Sequence, residues 1–380
     1  MLRSLVTATL VAALAATSLG AAQAAEISPG AAKSGAVMHL LPYPEGHAAA
    51  NAELMNDAGQ IVGSTTDGRG TYTATRWEAD LSITPLKALN ATGTLIITKA
   101  LAPDGTVAGA ADTGDRVDHA VTWDASGTPK RLEEPAGYVN STANDINGGH
   151  VVVGVVSDNR AARAVRWGPD GRATLLPLPP LTRYSEALYV DERGVAYGWA
   201  SHSSGANKQA VRWDTSGNVT NLGTFGGQWS EVRDVNDQGT AVGSAGAPGY
   251  ESWAAVAPPS GTYQQLPGGV HDSTAIAVNN HGDVLGAVNA QRVLWRNGGM
   301  TALRPLPDTR SLEAYELNDS GMSVGKSGDF ATVWDASGTP TPLPTGPRVD
   351  YSYGLRINNS GQVLGWAATW DYGRQAVVWR

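Results

Sequence analysis

Apolar residues in this chain come in short runs, and a cluster of Gly, Asn, Asp, Ser or Pro interrupts them every eight to twelve residues. Such closely spaced turn signals predict strands, and no window sustains the 3.6-residue apolar period of a helix. The clearest stretch is residues 222–243. Within it Asn236-Asp237-Gln238-Gly239 reads as a tight turn: Asn and Asp bond their own backbone, and Gly takes the left-handed conformation that costs other residues about 1–2 kcal/mol. Variants of this turn stand at 56–59, 103–105, 191–194, 279–282, 318–321 and 358–361, and the copy at 147–150 has His150 where Gly is expected. Four residues beyond each turn comes a second glycine: Gly63, Gly109, Gly154, Gly198, Gly243, Gly286, Gly325 and Gly365. Their separations of 46, 45, 44, 45, 43, 39 and 40 mark eight copies of one repeating unit.

Each unit resolves into four strand candidates; in the fifth they are residues 232–235, 240–243, 252–256 and 263–266. The third candidate carries Ala-x-x-Trp, as at Ala164/Trp167 and Ala210/Trp213. Two copies depart: Arg292/Trp295 lacks the Ala, and Ala254/Ala257 lacks the Trp. Residues three apart on a strand face opposite sides, so each sheet would offer a small residue to one neighbour and a large one to the other, and the seven Trp are expected to be structural. A second tight turn follows, as Asp214-Thr215-Ser216-Gly217 shows, then a fourth strand rich in Leu and Pro, such as Leu175-Leu176-Pro177-Leu178-Pro179. Proline suits an outermost strand. The chain ends at Trp379-Arg380, before any fourth strand of the eighth unit, while Leu40-Leu41-Pro42-Tyr43-Pro44 carries that pattern ahead of the first unit. A solenoid would want separately capped ends, whereas a ring needs its last blade completed by its first strand. The fold expected is all-β: an eight-bladed β-propeller of four-stranded antiparallel blades, the last closed by the N-terminal strand.

Residues 1–24 hold one positive charge at Arg3, an uncharged run and a closing Ala22-Gln23-Ala24, the form of a signal peptide with an Ala-x-Ala cleavage site. The apolar run is too short and too rich in Ala and Thr for a membrane span. The organisation read here is signal peptide 1–24, short linker 25–35 and a single β-propeller 36–380, secreted and monomeric. The formal net charge of −8, with no basic stripe, gives no bias toward nucleic acid, and the absence of Cys rules out disulfides and thiolate metal sites. No cofactor and no metal site is expected.

The string Leu222-Gly223-Thr224-Phe225-Gly226-Gly227, then Ser230, Asn236-Asp237-Gln238-Gly239 and Val242-Gly243, resembles the HAF repeat of secreted bacterial proteins. His119-Ala120-Val121 with Trp123 is the nearest copy of the motif that names the family, while Arg163, Gln209 and Gln375 stand where the family has His. The resemblance spans about residues 36–380 and implies an extracellular repeat protein of propeller form. It implies no activity.

In a propeller the first-to-second and third-to-fourth turns share one face, and here these are all tight. The other face carries the variable loops, where binding residues gather on a rigid scaffold. From the repeat glycine to the Trp position the gaps are 14, 14, 13, 15, 14, 9, 9 and 14, so blades six and seven are expected to be cut low there. The Trp outside the structural positions are Trp199, Trp229, Trp253, Trp366 and Trp370; Tyr184, Tyr351 and Tyr353, with Glu231, Glu313 and Asp371, accompany them. Aromatics beside carboxylates suit stacking on sugar rings or anchoring a protein, so the ligand expected is an extracellular glycan or protein. The alternatives are a propeller lyase or hydrolase acting on an extracellular polysaccharide, and a non-catalytic surface or matrix protein. Catalysis has the thinner support: the seven His share no repeat position, His271-Asp272-Ser273 lacks the spatial convergence a triad needs, and Asn144 to Gly148 lacks the later acidic ligands of a calcium loop.

Overall fold

The computed structural model describes residues 35–380 apart from 94–95, 115, 159, 204–206, 269–270 and 370–372. The expected signal peptide and nearly all of the expected linker thus lie outside the described residues. The protein is all-β, an eight-bladed β-propeller whose blades are four-stranded antiparallel sheets. Two compact units hold them: Lys87–Thr301 carries blades two to six, and residues 35–86 with Ala302–Arg380 carry blades seven, eight and one. Blade five consists of Ser230–Val235, Ala241–Gly246, Ser252–Ala257 and Gln264–Gln265, so its first two strands start or end further out than the turn chemistry alone suggests.

The last blade is completed by Met38–Leu40, antiparallel to Gly373–Trp379 with Met38 opposite Trp379. This strand lies just before the Leu-Pro run expected to form it. The same offset recurs in blade three, where the strand is Ala173–Leu175 and Pro177 lies beyond it. The reason is a tie between blades. Leu176 closes its own sheet by donating its N–H to the Ala164 carbonyl at 2.9 Å, and the next carbonyl, of Pro177, then accepts the indole Nε1–H of Trp213 in blade four at 2.8 Å. All seven repeat Trp make this bond, from Trp77 on Pro42 to Trp379 on Pro344. In blade three the ring packs toward the preceding blade while the Ala three residues earlier faces the following one: Trp167 lies among Ala120 and Leu132 of blade two, and Ala164 among Ala187 and Val211 of blade four. Blade five, which has Ala257 instead, uses Tyr263: buried, it donates its N–H to the Leu222 carbonyl and its hydroxyl to the Glu231 carbonyl, both at 2.7 Å.

Three further devices explain the repeat signature. The turn Asn works twice: Asn236 Oδ1 accepts the Thr240 N–H within its own turn, and its Nδ2 donates to the Asn279 carbonyl of blade six, both at 2.9 Å. The inner-strand Ser is a bolt, since Ser230 Oγ accepts the Ala210 N–H of the preceding blade at 2.9 Å, and Ser141, Ser185, Ser273 and Ser352 repeat the bond. The second glycine faces a β-bulge in the first strand of every blade; a Cβ on Gly243 would sit 2.0 Å from the Glu231 carbonyl oxygen. His150, in the glycine place of its turn, adopts φ 58° and pairs its Nε2 with Asp104 at 2.9 Å. His119 of the His-Ala-Val copy is buried, with Nδ1 2.7 Å from Glu134 Oε1.

Candidate functional site

With the glycine turns at one end of every blade, the second-to-third loops and the fourth-to-first connections fall at the other. Two of these loops are minimal, as the shortened gaps imply: Asn289 and Ala290 turn blade six with φ 48° and 64°, and Gly328 turns blade seven with φ 58°. The residue immediately after the repeat glycine sits on the second strand toward this variable end. In most blades it is small or aliphatic, but it is Trp199 in blade four, Lys326 in blade seven and Trp366 in blade eight.

Within the unit of blades two to six the expected residues form separate groups. Trp199 donates Nε1–H to Glu186 Oε2 at 3.2 Å and lies under the Lys208 ammonium, 3.8 Å from the ring centroid, while Asn144 holds the other Glu186 oxygen at 3.0 Å. Tyr184, half-buried, opens the same first strand, Tyr184–Val190. In blade five Trp253 stacks at 5.7 Å on Phe225 and donates to Glu251 Oε2, whose Oε1 pairs with His271 Nδ1 at 2.7 Å. That bond raises the His271 pKa and lowers that of Glu251. Trp229, half-buried, is fixed through its carbonyl by the Gly246 N–H at 2.8 Å, and Glu231 is bound by Arg233 at 2.7 Å.

In the unit of blades seven, eight and one the side chains converge. Tyr351 and Tyr353, two apart on the inner strand Tyr351–Ile357, share a face with ring centroids 5.8 Å apart. Lys326 reaches Tyr351 Oη at 3.3 Å and Glu313 at 3.5 Å, and Glu313 also accepts the Tyr315 hydroxyl. Burial would lower the Lys326 pKa, but Tyr351 and Glu313 outweigh it and raise it. The Arg374 guanidinium carbon lies over Trp366, 3.7 Å from the ring centroid, and Arg374 donates to Tyr353 Oη. Burial pushes the Tyr353 hydroxyl up to about 12. Trp366 is buried beneath Arg374, and among the described residues its Nε1 has no hydrogen-bond partner. Trp370 and Asp371 lie outside the described residues.

Sequence reasoning named Tyr351, Tyr353, Glu313 and Trp366 but not Lys326, Tyr315 or Arg374. The signal for Lys326 was its place after Gly325, matching Trp199 and Trp366; Arg374 had none, since its importance is the stack it makes. Among the described residues no three His, Asp or Glu side chains group as metal ligands, and no helix is long and apolar enough to cross a membrane.

No protein-family model and no curated protein matches the chain. Solved structures do. Prolyl oligopeptidase B from Galerina marginata is 11% identical with a TM-score of 0.51, over 85% of this chain and 55% of its own, so the chain spans little more than half of that protein. The β-propeller domain of the Trilobed protease from Pyrococcus furiosus is 10% identical with a TM-score of 0.48, over 89% of this chain and 94% of its own. Virginiamycin B lyase from Staphylococcus aureus is 13% identical with a TM-score of 0.39, over 79% and 95%. The class of protein is a β-propeller, and at these identities the likeness carries the fold and no activity.

Proposed function

We propose that this is a secreted β-propeller of the HAF-repeat kind that works as a binding module, holding an extracellular glycan at the variable end of its blades without catalysing a reaction. The observation that carries the reading is the Tyr351–Tyr353 pair, half-buried and flanked by Lys326, Glu313 and Arg374. Half-buried aromatic faces take the apolar side of a pyranose, and fixed charged groups at their rim hold its hydroxyls. Trp199 between Glu186 and Lys208 repeats the combination on blade four.

The test is retention of the purified mature chain on a panel of cell-wall and extracellular polysaccharides, with products analysed in the same samples. Saturable binding without products, lost on Tyr351→Ala at unchanged melting temperature, is the expected result. New products would make the protein an enzyme, and absence of retention across the panel would overturn the glycan reading in favour of a protein ligand.

A further inference from the structure

We propose that Arg374 forms a subsite for the carboxylate of an acidic sugar, so that the glycan held beside Tyr351 and Tyr353 is a polyuronate; this rests on the glycan-binding reading above. Arg374 is the second residue of Gly373–Trp379 and is exposed, yet it does not wave in solvent. Its guanidinium lies 3.7 Å from the Trp366 centroid and 5.2 Å from that of Tyr353, and it donates to Tyr353 Oη. The Trp366 and Tyr353 contacts tether the guanidinium, one over a ring face and one through a donated N–H.

The neighbouring cation of the cluster is already satisfied. Lys326 has Glu313. Among the described residues Arg374 has no carboxylate in ion-pair contact. Glu53, on the first strand of blade one (Ala49–Met55), also acts on the Tyr353 hydroxyl, raising its pKa. A guanidinium presents five donors in a planar fork, of which Tyr353 takes one, and a carboxylate accepts two parallel N–H bonds from such a fork. The stack on Trp366 supplies the rigidity that makes such a bond selective, because little side-chain freedom remains to be lost on binding. The Tyr351 ring, 5.8 Å from Tyr353, adds an aromatic face that the apolar side of a pyranose can cover.

The experiment compares binding of the purified protein to polygalacturonate, to its fully methyl-esterified form and to polyglutamate, by calorimetry at fixed ionic strength. Polygalacturonate is expected to bind at least about tenfold more tightly than the ester, the scale of one charge-assisted contact. Arg374→Ala and Arg374→Gln should each erase that preference, and Arg374→Lys should keep only part of it because an ammonium offers no fork. All three variants should melt with the parent protein, the position being exposed. Ester binding equal to that of the acid, or a preference that survives Arg374→Gln, would overturn the acidic subsite while leaving glycan binding intact. Polyglutamate binding as tightly as polygalacturonate would reduce the site to a charge contact and overturn its sugar specificity. Binding to no polysaccharide of the panel would sink both readings together.

Discussion

At the residue scale, the repeat Trp are placed by two requirements at once: a large ring toward the preceding blade and an indole N–H for a carbonyl that the Leu-Pro strand end leaves open. Burial alone was legible from Ala-x-x-Trp; the hydrogen bond was not, because its acceptor lies 28 to 36 residues away in the chain. Trp334→Phe keeps most of the ring but abandons the Arg304 carbonyl, and should cost about 1–3 kcal/mol in chemical denaturation, less than the ~3–5 expected of Trp334→Ala. Glu134 gives a pH dependence. Burial opposes its charge, yet hydrogen bonds from His119, Ser141 and Arg131 outweigh that and hold its pKa below the ordinary 4.5. A depressed carboxylate stabilises the fold above its unfolded pKa and loses that contribution as pH falls through the folded value. Denaturation of Glu134→Gln followed from pH 7 to pH 3 should therefore start lower than the parent and decline less steeply below about pH 4.5.

At the element scale, the glycine four residues beyond each turn stood out in the sequence as a repeating letter without a reason. The reason is the bulge that every first strand carries opposite it, which brings the partner's carbonyl to where a Cβ would be. Gly243→Ala should cost about 3 kcal/mol or more, because the carbonyl it meets is backbone and cannot step aside, while Gly217→Ala, with nothing within 4 Å of its Cβ, should cost only the ~1–2 of its left-handed backbone. Melting curves of the two variants side by side would separate the causes, and equal losses would refute the bulge account. Ser230→Ala leaves the buried Ala210 N–H without its acceptor and should cost about 1–3 kcal/mol. Trp199 and Trp366 were visible as Trp outside the structural positions, but their common register after the repeat glycine gained meaning only once the strands were paired.

At the scale of the molecule, the pairing of Met38–Leu40 with Gly373–Trp379 brings together strands from opposite ends of the chain, reinforced by Asn358 Nδ2 on the Asn56 carbonyl and by Asn359 on Asp57. Removing residues 35–42 would strip the Met38 cover from the blade-eight core and take away the Pro42 carbonyl that Trp77 uses. A lower melting temperature with a broader transition is expected in calorimetry, and an unchanged curve would refute the closing role of this strand. The sequence by itself determined the period, the turns, the strand count and the closure of the last blade, because these follow from local backbone chemistry repeated eight times and from one pattern displaced to the other end. Only the tertiary structure decided which donors meet which acceptors between blades, why each bulge needs its glycine, how Tyr263 replaces a missing Trp, and that Arg374 lies over Trp366 beside two tyrosines. Those are contacts between residues on different strands and blades, and sequence spacing carries no distance between side chains that only the folded backbone brings together.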